Sequence, residues 1–352
     1  MGKLLRNIWQ RANSGQAGGG GRRLLRGLVL GLAAFYAAGA RGQACLTNDD
    51  LEAPVRAGLE GAALKFFGLA AKGDVEQLQG NSIPSVAADF SGIASSVQAN
   101  QSAFAKAQAV VKSTYQLTVQ GDAPLERAEF LCGVFGGTGQ TSSSAVFVLN
   151  GLAPGRYGVV IEEVTGTGDD GRYAVAFVLQ QTGTDWKLGG FYAKAMESGG
   201  HDSRWWADQG RTFAAKGQKH NAWYYLLEAR NLTSVLPFLS TRETDRLYDD
   251  EQKSATGDAP DGVPTELAGA GKTYRVKNVF AYGMAGEVHL VVKYEWPDVS
   301  DAVKTFAENQ AVARALVTKW PELRDGFGAI EARATEPSGR DFGTLVELKD
   351  LK

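Results

Sequence analysis

Two adjacent glutamates, Glu162 and Glu163, with Tyr157 before them and Asp170 and Tyr173 after, are the side chains here best suited to chemistry. A carboxyl and a phenol held together can exchange a proton with a substrate, and burial raises the carboxyl toward neutral pH for that work. A plainer arrangement stands beside it, in which one glutamate of the pair points to solvent and the tyrosines pack at a rim. His201 and Asp202 form an acid/base pair only if the fold brings a nucleophile to them, whereas Asp202-Ser203 is also a helix cap. His201, His220 and His289 share no metal-ligand spacing, and His289 in EVHLVV is expected to face solvent or a polar contact on a sheet. No H-E-x-x-H, nucleophile elbow, phosphate loop or dinucleotide fingerprint is present. GGTGQTSSS, after Phe135, joins two strands and opens no helix, so it reads as a hairpin loop rather than a phosphate cradle. No catalytic, metal or cofactor residue is therefore assigned and no cofactor is expected; the candidate pocket is Tyr157, Glu162, Glu163 and Tyr173.

The elements that must position this pocket form an α+β pattern. Leu51, Val55, Leu59, Ala62, Phe66 and Leu69 recur at helical spacing over 51–72, with Gly73-Asp74 as a stop. A second, Pro-free helical stretch is predicted from Val86 to Lys112. From Tyr115, short runs such as TYQLTVQ, RYGVVIEEV and RYAVAFVLQ, separated by Gly, Asp and Thr, predict consecutive antiparallel strands. Helices packed on a curved antiparallel sheet follow from that order.

A helix ending in FFGLAAKGDVEQL and a meander closing on DWKLGGF resemble the nuclear transport factor 2-like family over about residues 51–196. The resemblance implies a bent sheet wrapped around a long helix, a cone that holds a small ligand, forms a dimer or serves as a rigid module. Enzymes of that family place an acid or Tyr in the cone, and Glu162, Glu163, Tyr157 and Tyr173 would be the candidates here.

The segment WWADQGRTFAAKGQKHNAWYYLLEAR, Trp205 to Arg230, predicts two helices joined around Gly217. Trp206, Gly210 and Phe213, then Ala222, Leu226 and Ala229, resemble one tetratricopeptide hairpin. Gln209 replaces its usual Leu, Ser234 its closing Pro, and no second copy is found. Trp206, Phe213 and Leu226 are expected to form the hairpin's own core or its contact with the preceding sheet, and Trp205, Trp223 and Tyr224 cannot all share that face. They are left to be covered either by another part of this chain or by a partner, for which these three are the candidate surface.

DDEQKSATGDAPDGVP reads as an acidic linker, 249–265. A hairpin, a helix from Val299 to Lys319 and two strands then predict a small C-terminal ββαββ two-layer sandwich, 266–352, cored by Val291, Tyr294, Phe306, Leu316, Ile330 and Leu345. The expected division is a signal peptide at 1–44, an α+β cone-like unit at 45–200, a helical hairpin at 201–248, the linker and the sandwich.

The 352 residues carry a net charge of −2. Removing residues 1–44 takes away seven of the 37 basic groups and none of the 39 acidic ones, leaving −9. An acidic body without a basic stripe is a poor match for nucleic acid. The basic start, the short apolar run LVLGLAAFYAAGA and the small residues at Ala38-Gly39-Ala40 and Gly42-Gln43-Ala44 predict a secretory signal peptide. GRRLLRG is an imperfect twin-arginine motif, which leaves the export route open. Cys45 and Cys132 are the only cysteines, so an exported chain has either one disulfide or a lipid-anchored Cys45 with a lone Cys132 thiol. The expectation is a noncatalytic envelope protein binding a protein partner or small ligand, periplasmic or extracellular, touching a membrane only through an uncleaved signal or lipidated Cys45. An enzyme with its site in the cone is the alternative.

Overall fold

The computed structural model describes residues 43–133, 144–168, 171–260 and 263–351. The signal-peptide run, the GGTGQTSSS loop up to position 143 and Asp170 lie outside the described residues. The chain is mixed α+β with largely antiparallel sheets.

It opens with strand β1 (Gln43–Leu46), then helices α1 (Ala53–Lys72), α2 (Val75–Gly80), α3 (Pro84–Ala88) and α4 (Ser91–Phe104). Strands β2 (Gln108–Val119), β3 (Leu125–Cys132), β4 (Ala145–Leu152), β5 (Gly155–Thr165), β6 (Tyr173–Thr182) and β7 (Asp185–Ala195) follow. β1-β2-β5-β6-β7 form one antiparallel sheet, with bulges at Val111/Ser113 and Val178/Leu179 that sharpen its bend. The predicted helix over 86–112 is not one element: it breaks between α3 and α4, and from Gln108 the chain is β2. Val110, Val111 and Thr114 suit a pleated strand, and the backbone from Gln108 pairs with β5. α1 and α4 pack Leu59, Phe66, Phe67 and Phe104 against one face of the sheet, over Val160, Val164, Val175 and Phe177.

The other face carries a second buried cluster, in which Tyr115, Tyr157, Val159 and Ala176 meet Phe130 and Phe147 of β3 and β4. Cys45 and Cys132 are joined in a disulfide with Cα atoms 5.1 Å apart, tying β1 to β3. That bond leaves no thiol on Cys45 to carry a lipid.

Two short strands, β8 (Glu197–Ser198) and β9 (His201–Asp202), lead into α5 (Ser203–Ala215) and α6 (Lys219–Asn231). Asp202 caps α5 by accepting a hydrogen bond from the Trp205 N–H at 3.0 Å. Gly210 is where the two helices touch: a Cβ there would sit 2.8 Å from Leu226 Cγ, inside any permitted contact. β10 (Leu239–Thr241) adds to β4, and Thr241 begins a capping box that starts α7 (Arg242–Lys253).

The expected linker thus begins inside a helix. Its middle is tied down, since Asp258 accepts hydrogen bonds from Trp320 Nε1 at 2.9 Å and pairs with His220 Nε2 at 3.0 Å. Its last residue opens a strand the sequence reading missed, β11 (Thr265–Gly269). β12 (Lys272–Met284), β13 (Glu287–Glu295), α8 (Ala302–Lys319), α9 (Leu323–Gly326), β14 (Ala329–Thr335) and β15 (Asp341–Glu347) complete the chain. The last sheet runs β11-β12-β13-β14-β15, with only β13 and β14 parallel and α8 as their crossover, so the unit is βββαββ.

Of the predicted C-terminal core, Val291, Tyr294, Leu316 and Ile330 are buried, whereas Phe306 is 46% and Leu345 44% exposed. Thr305, Asn309, Val312 and Leu316 hold the inner stripe of α8, and Phe306 lies one residue, about 100°, off it. Thr344 and Val346 face inward, so the pleat turns Leu345 out. Buried Asn309 takes the place an apolar residue was expected to fill: it accepts from Tyr294 OH at 2.7 Å and donates to Phe342 O and Thr344 Oγ1. Of the two settings expected for His289 the structure shows the polar contact on the sheet: it is buried, edge-on to Tyr282, with Nε2 3.3 Å from Glu287.

Candidate functional site

β5 carries the candidate pocket residues, and strand alternation divides them. Glu162 lies between Val160 and Val164, on the face covered by α1 and α4, in register with Val111 and Val175. It is fully buried, and neither carboxyl oxygen has a hydrogen-bond partner. Burial alone pushes the carboxyl up to about 8, so it holds its proton at neutral pH. Tyr173, paired with Val164 and edge-on to Phe104 at 5.4 Å, is a diagonal neighbour on the same face.

Tyr157 and Glu163 belong to the opposite face. Tyr157 is buried beside Val159, its hydroxyl donating to Ala153 O at 2.8 Å. Glu163 is partly exposed and pairs with Lys112 Nζ at 3.3 Å. Strand alternation puts Glu162 and Tyr173 toward the helix-covered side and Tyr157 and Glu163 toward the other, yet Glu162, Glu163 and Tyr173 all line one cleft, and only Tyr157 lies apart from it.

On the Glu163 side the structure opens a cleft of about 300 Å³ between the sheet and the beginnings of α5 and α7. Ile161, Ala174, Met196 and Leu232 give it an apolar floor. Its rim is charged. Arg172 donates to Glu197 at 2.6 Å and lies 3.6 Å from Asp202 and 4.0 Å from Glu163. These carboxylates hold the guanidinium firmly in its charged form, the Glu197 hydrogen bond contributing most. Arg204, in the first turn of α5, and Glu243, in the first turn of α7, complete the rim. None of Lys112, Arg172, Arg204 or Glu243 was singled out from the sequence. They lie far apart in the chain, and only the packing of α5 and α7 beside the sheet brings them together.

The aromatic segment changes role. Trp223 is 4% and Tyr224 0% exposed, both within the cluster that runs from Trp206 through β12, β13 and α8. They are core, covered by the C-terminal sheet and helix rather than open to a partner, because α6 lies between α5 and that sheet and so has no free side. Trp205 is half-buried and stacks on His201 at 3.7 Å. His220 is fixed by Glu322 at Nδ1 (2.9 Å) and Asp258 at Nε2. Among the described residues, no group of three His, Cys, Asp or Glu is placed to hold a metal ion. No helix among them is long and apolar enough to cross a membrane. No family model, no curated protein and no solved structure matches this chain.

Proposed function

We propose that this chain is an exported, noncatalytic binding protein of the bacterial envelope, and that it holds a small organic ligand in the cleft beside Arg172. The observation that carries this reading is the cleft itself, whose apolar floor and convergent charged rim are the make-up of a ligand site at the small end of the usual size range. The Cys45–Cys132 disulfide supports export, since such bonds persist in oxidising compartments, and the basic, acid-free start agrees with it. α1 lying against one face of a bulged antiparallel sheet supports the nuclear transport factor 2-like resemblance of the first unit. The close contact at Gly210 supports the tetratricopeptide-like pairing of α5 and α6. The test is native mass spectrometry of the protein recovered from an expressing bacterium, read beside its denatured mass. A small-molecule mass present only in the native spectrum is expected; a bare monomer, or a retained polypeptide in its place, overturns the reading.

Glu162 favours a second reading, an enzyme with its acid inside the first unit, because a neutral carboxyl with two unpartnered oxygens is equipped to donate a proton. On that reading the retained molecule is converted on incubation, and Glu162→Gln stops conversion while leaving the fold intact. Equal conversion by both proteins, or none by either, removes it.

A further inference from the structure

The charges around the cleft are not equivalent. Lys112 is engaged by Glu163, and Arg172 by Glu197, Asp202 and Glu163. Asp202 is further occupied as the cap of α5. With these pairs formed, two rim residues remain exposed, and among the described residues neither has an ion-pair or hydrogen-bond partner: Arg204 and Glu243. They have opposite sign, stand on different helices and form no ion pair with each other. A purely anionic ligand would leave Glu243 covered and unpaired, and a purely cationic one would do the same to Arg204, each at a desolvation cost. A molecule carrying both charges on an apolar body satisfies the two groups and the floor together.

We propose that the cleft takes a zwitterionic organic molecule of amino-acid or short-peptide type, its carboxylate at Arg204, its ammonium at Glu243 and its apolar part over Ile161, Ala174, Met196 and Leu232. This rests on the reading of the cleft as the binding site. Specificity comes from the pairing of both ends. Neither contact alone is strong on so exposed a rim, and each gains as the ligand excludes water.

The probes are L-leucyl-L-leucine, its N-acetyl derivative and its C-terminal amide, titrated calorimetrically into the disulfide-intact protein. The free dipeptide is expected to bind, and each derivative about tenfold more weakly. Arg204→Gln should abolish the discrimination against the amide and leave that against the acetyl form; Glu243→Gln should do the reverse. Both positions are exposed, so neither change threatens folding. Equal binding of the three probes, no binding of the dipeptide, or discrimination indifferent to both substitutions overturns the zwitterion. The cleft reading is separated by Met196→Trp, which fills the floor from a half-buried position. If that variant loses a molecule retained by the native protein while the dipeptide fails to bind, the cleft stands as the site and the zwitterion falls. If Met196→Trp keeps the retained molecule, both fall.

Discussion

Replacing Glu162 should change how stability varies with pH, and the size of that change follows from its burial. In the folded protein the carboxyl keeps its proton up to about pH 8, whereas in the unfolded chain it loses it near 4.5. Between those values the folded state binds more protons, so stability falls as pH rises. The contribution is whole below pH 4.5 and gone above 8. At about 1.4 kcal/mol per pH unit the interval corresponds to about 5 kcal/mol. Glu162→Gln removes the titration while keeping the shape, so its stability should lack that decline. Glu162→Leu should remove the unpartnered oxygens as well and melt about 10 °C or more above the native protein at pH 8, with the gap narrowing toward pH 4.5. The assay is calorimetric unfolding of the three proteins at intervals from pH 4.5 to 9, following the transition of the first unit. Parallel curves for the native protein and Glu162→Gln would refute the reasoning, because they would mean that the carboxyl finds a partner or water when charged.

Three other outcomes are expected. Trp223→Ala and Tyr224→Ala should each destabilise the protein by about 3–5 kcal/mol in urea unfolding, as large core truncations do; near-neutral values would return them to the surface. Cys45→Ser should cost about 2–4 kcal/mol in the same measurement, since the disulfide closes a separation of 87 residues. Gly210→Val should cost about 1–3 kcal/mol through collision with Leu226, while Gly217→Asn, at a positive φ of 76° with open space around it, should change little in a thermal melt.

What the sequence made legible was periodic and local. The run from Tyr115 to Ala195 alternates and is punctuated by turn residues, so its strands could be read, and a chain with two cysteines has one possible internal pairing. The close approach at Gly210 could be read from small residues at helical spacing. The stretch after Val86 misled because alanine-rich composition favours a helix, while β2 is decided by pairing with β5, some fifty residues away. Phe306 and Leu345 misled because Asn309 and Thr344 hold the inner positions, and a buried amide satisfied by three hydrogen bonds has no local signature. Glu162 and Glu163 were recognised as a pair, but which face of the sheet each occupies depends on where α1 lies. The cleft could be read only in part: Glu162, Glu163 and Tyr173 line it, but the rest of its rim is assembled from residues as distant as Lys112 and Glu243.

The same assembly says where ligand binding would be felt. α5 and α6 share one continuous core with the C-terminal sheet, and a seam runs between that core and the clusters of the first sheet. That seam mixes polar and apolar contacts. Lys194 of β7 donates to Asn231 Oδ1 at 2.7 Å, and Ser198 Oγ accepts from the Gly283 N–H at 2.7 Å. Val235, Leu236 and Phe238 supply its apolar contacts, Phe238 edge-on to Tyr192 at 5.5 Å, and β10 pairs with β4. The cleft opens on this seam, with Ile161, Glu163 and Arg172 on one side and Arg204 and Leu232 on the other. A ligand bridging Arg204 and the sheet floor therefore adds contacts across this seam. Binding should protect the amides of β8, β9 and the first turn of α5 from hydrogen exchange more than those of α8 or β13. Protection spread evenly over the chain would mean that the ligand sits elsewhere.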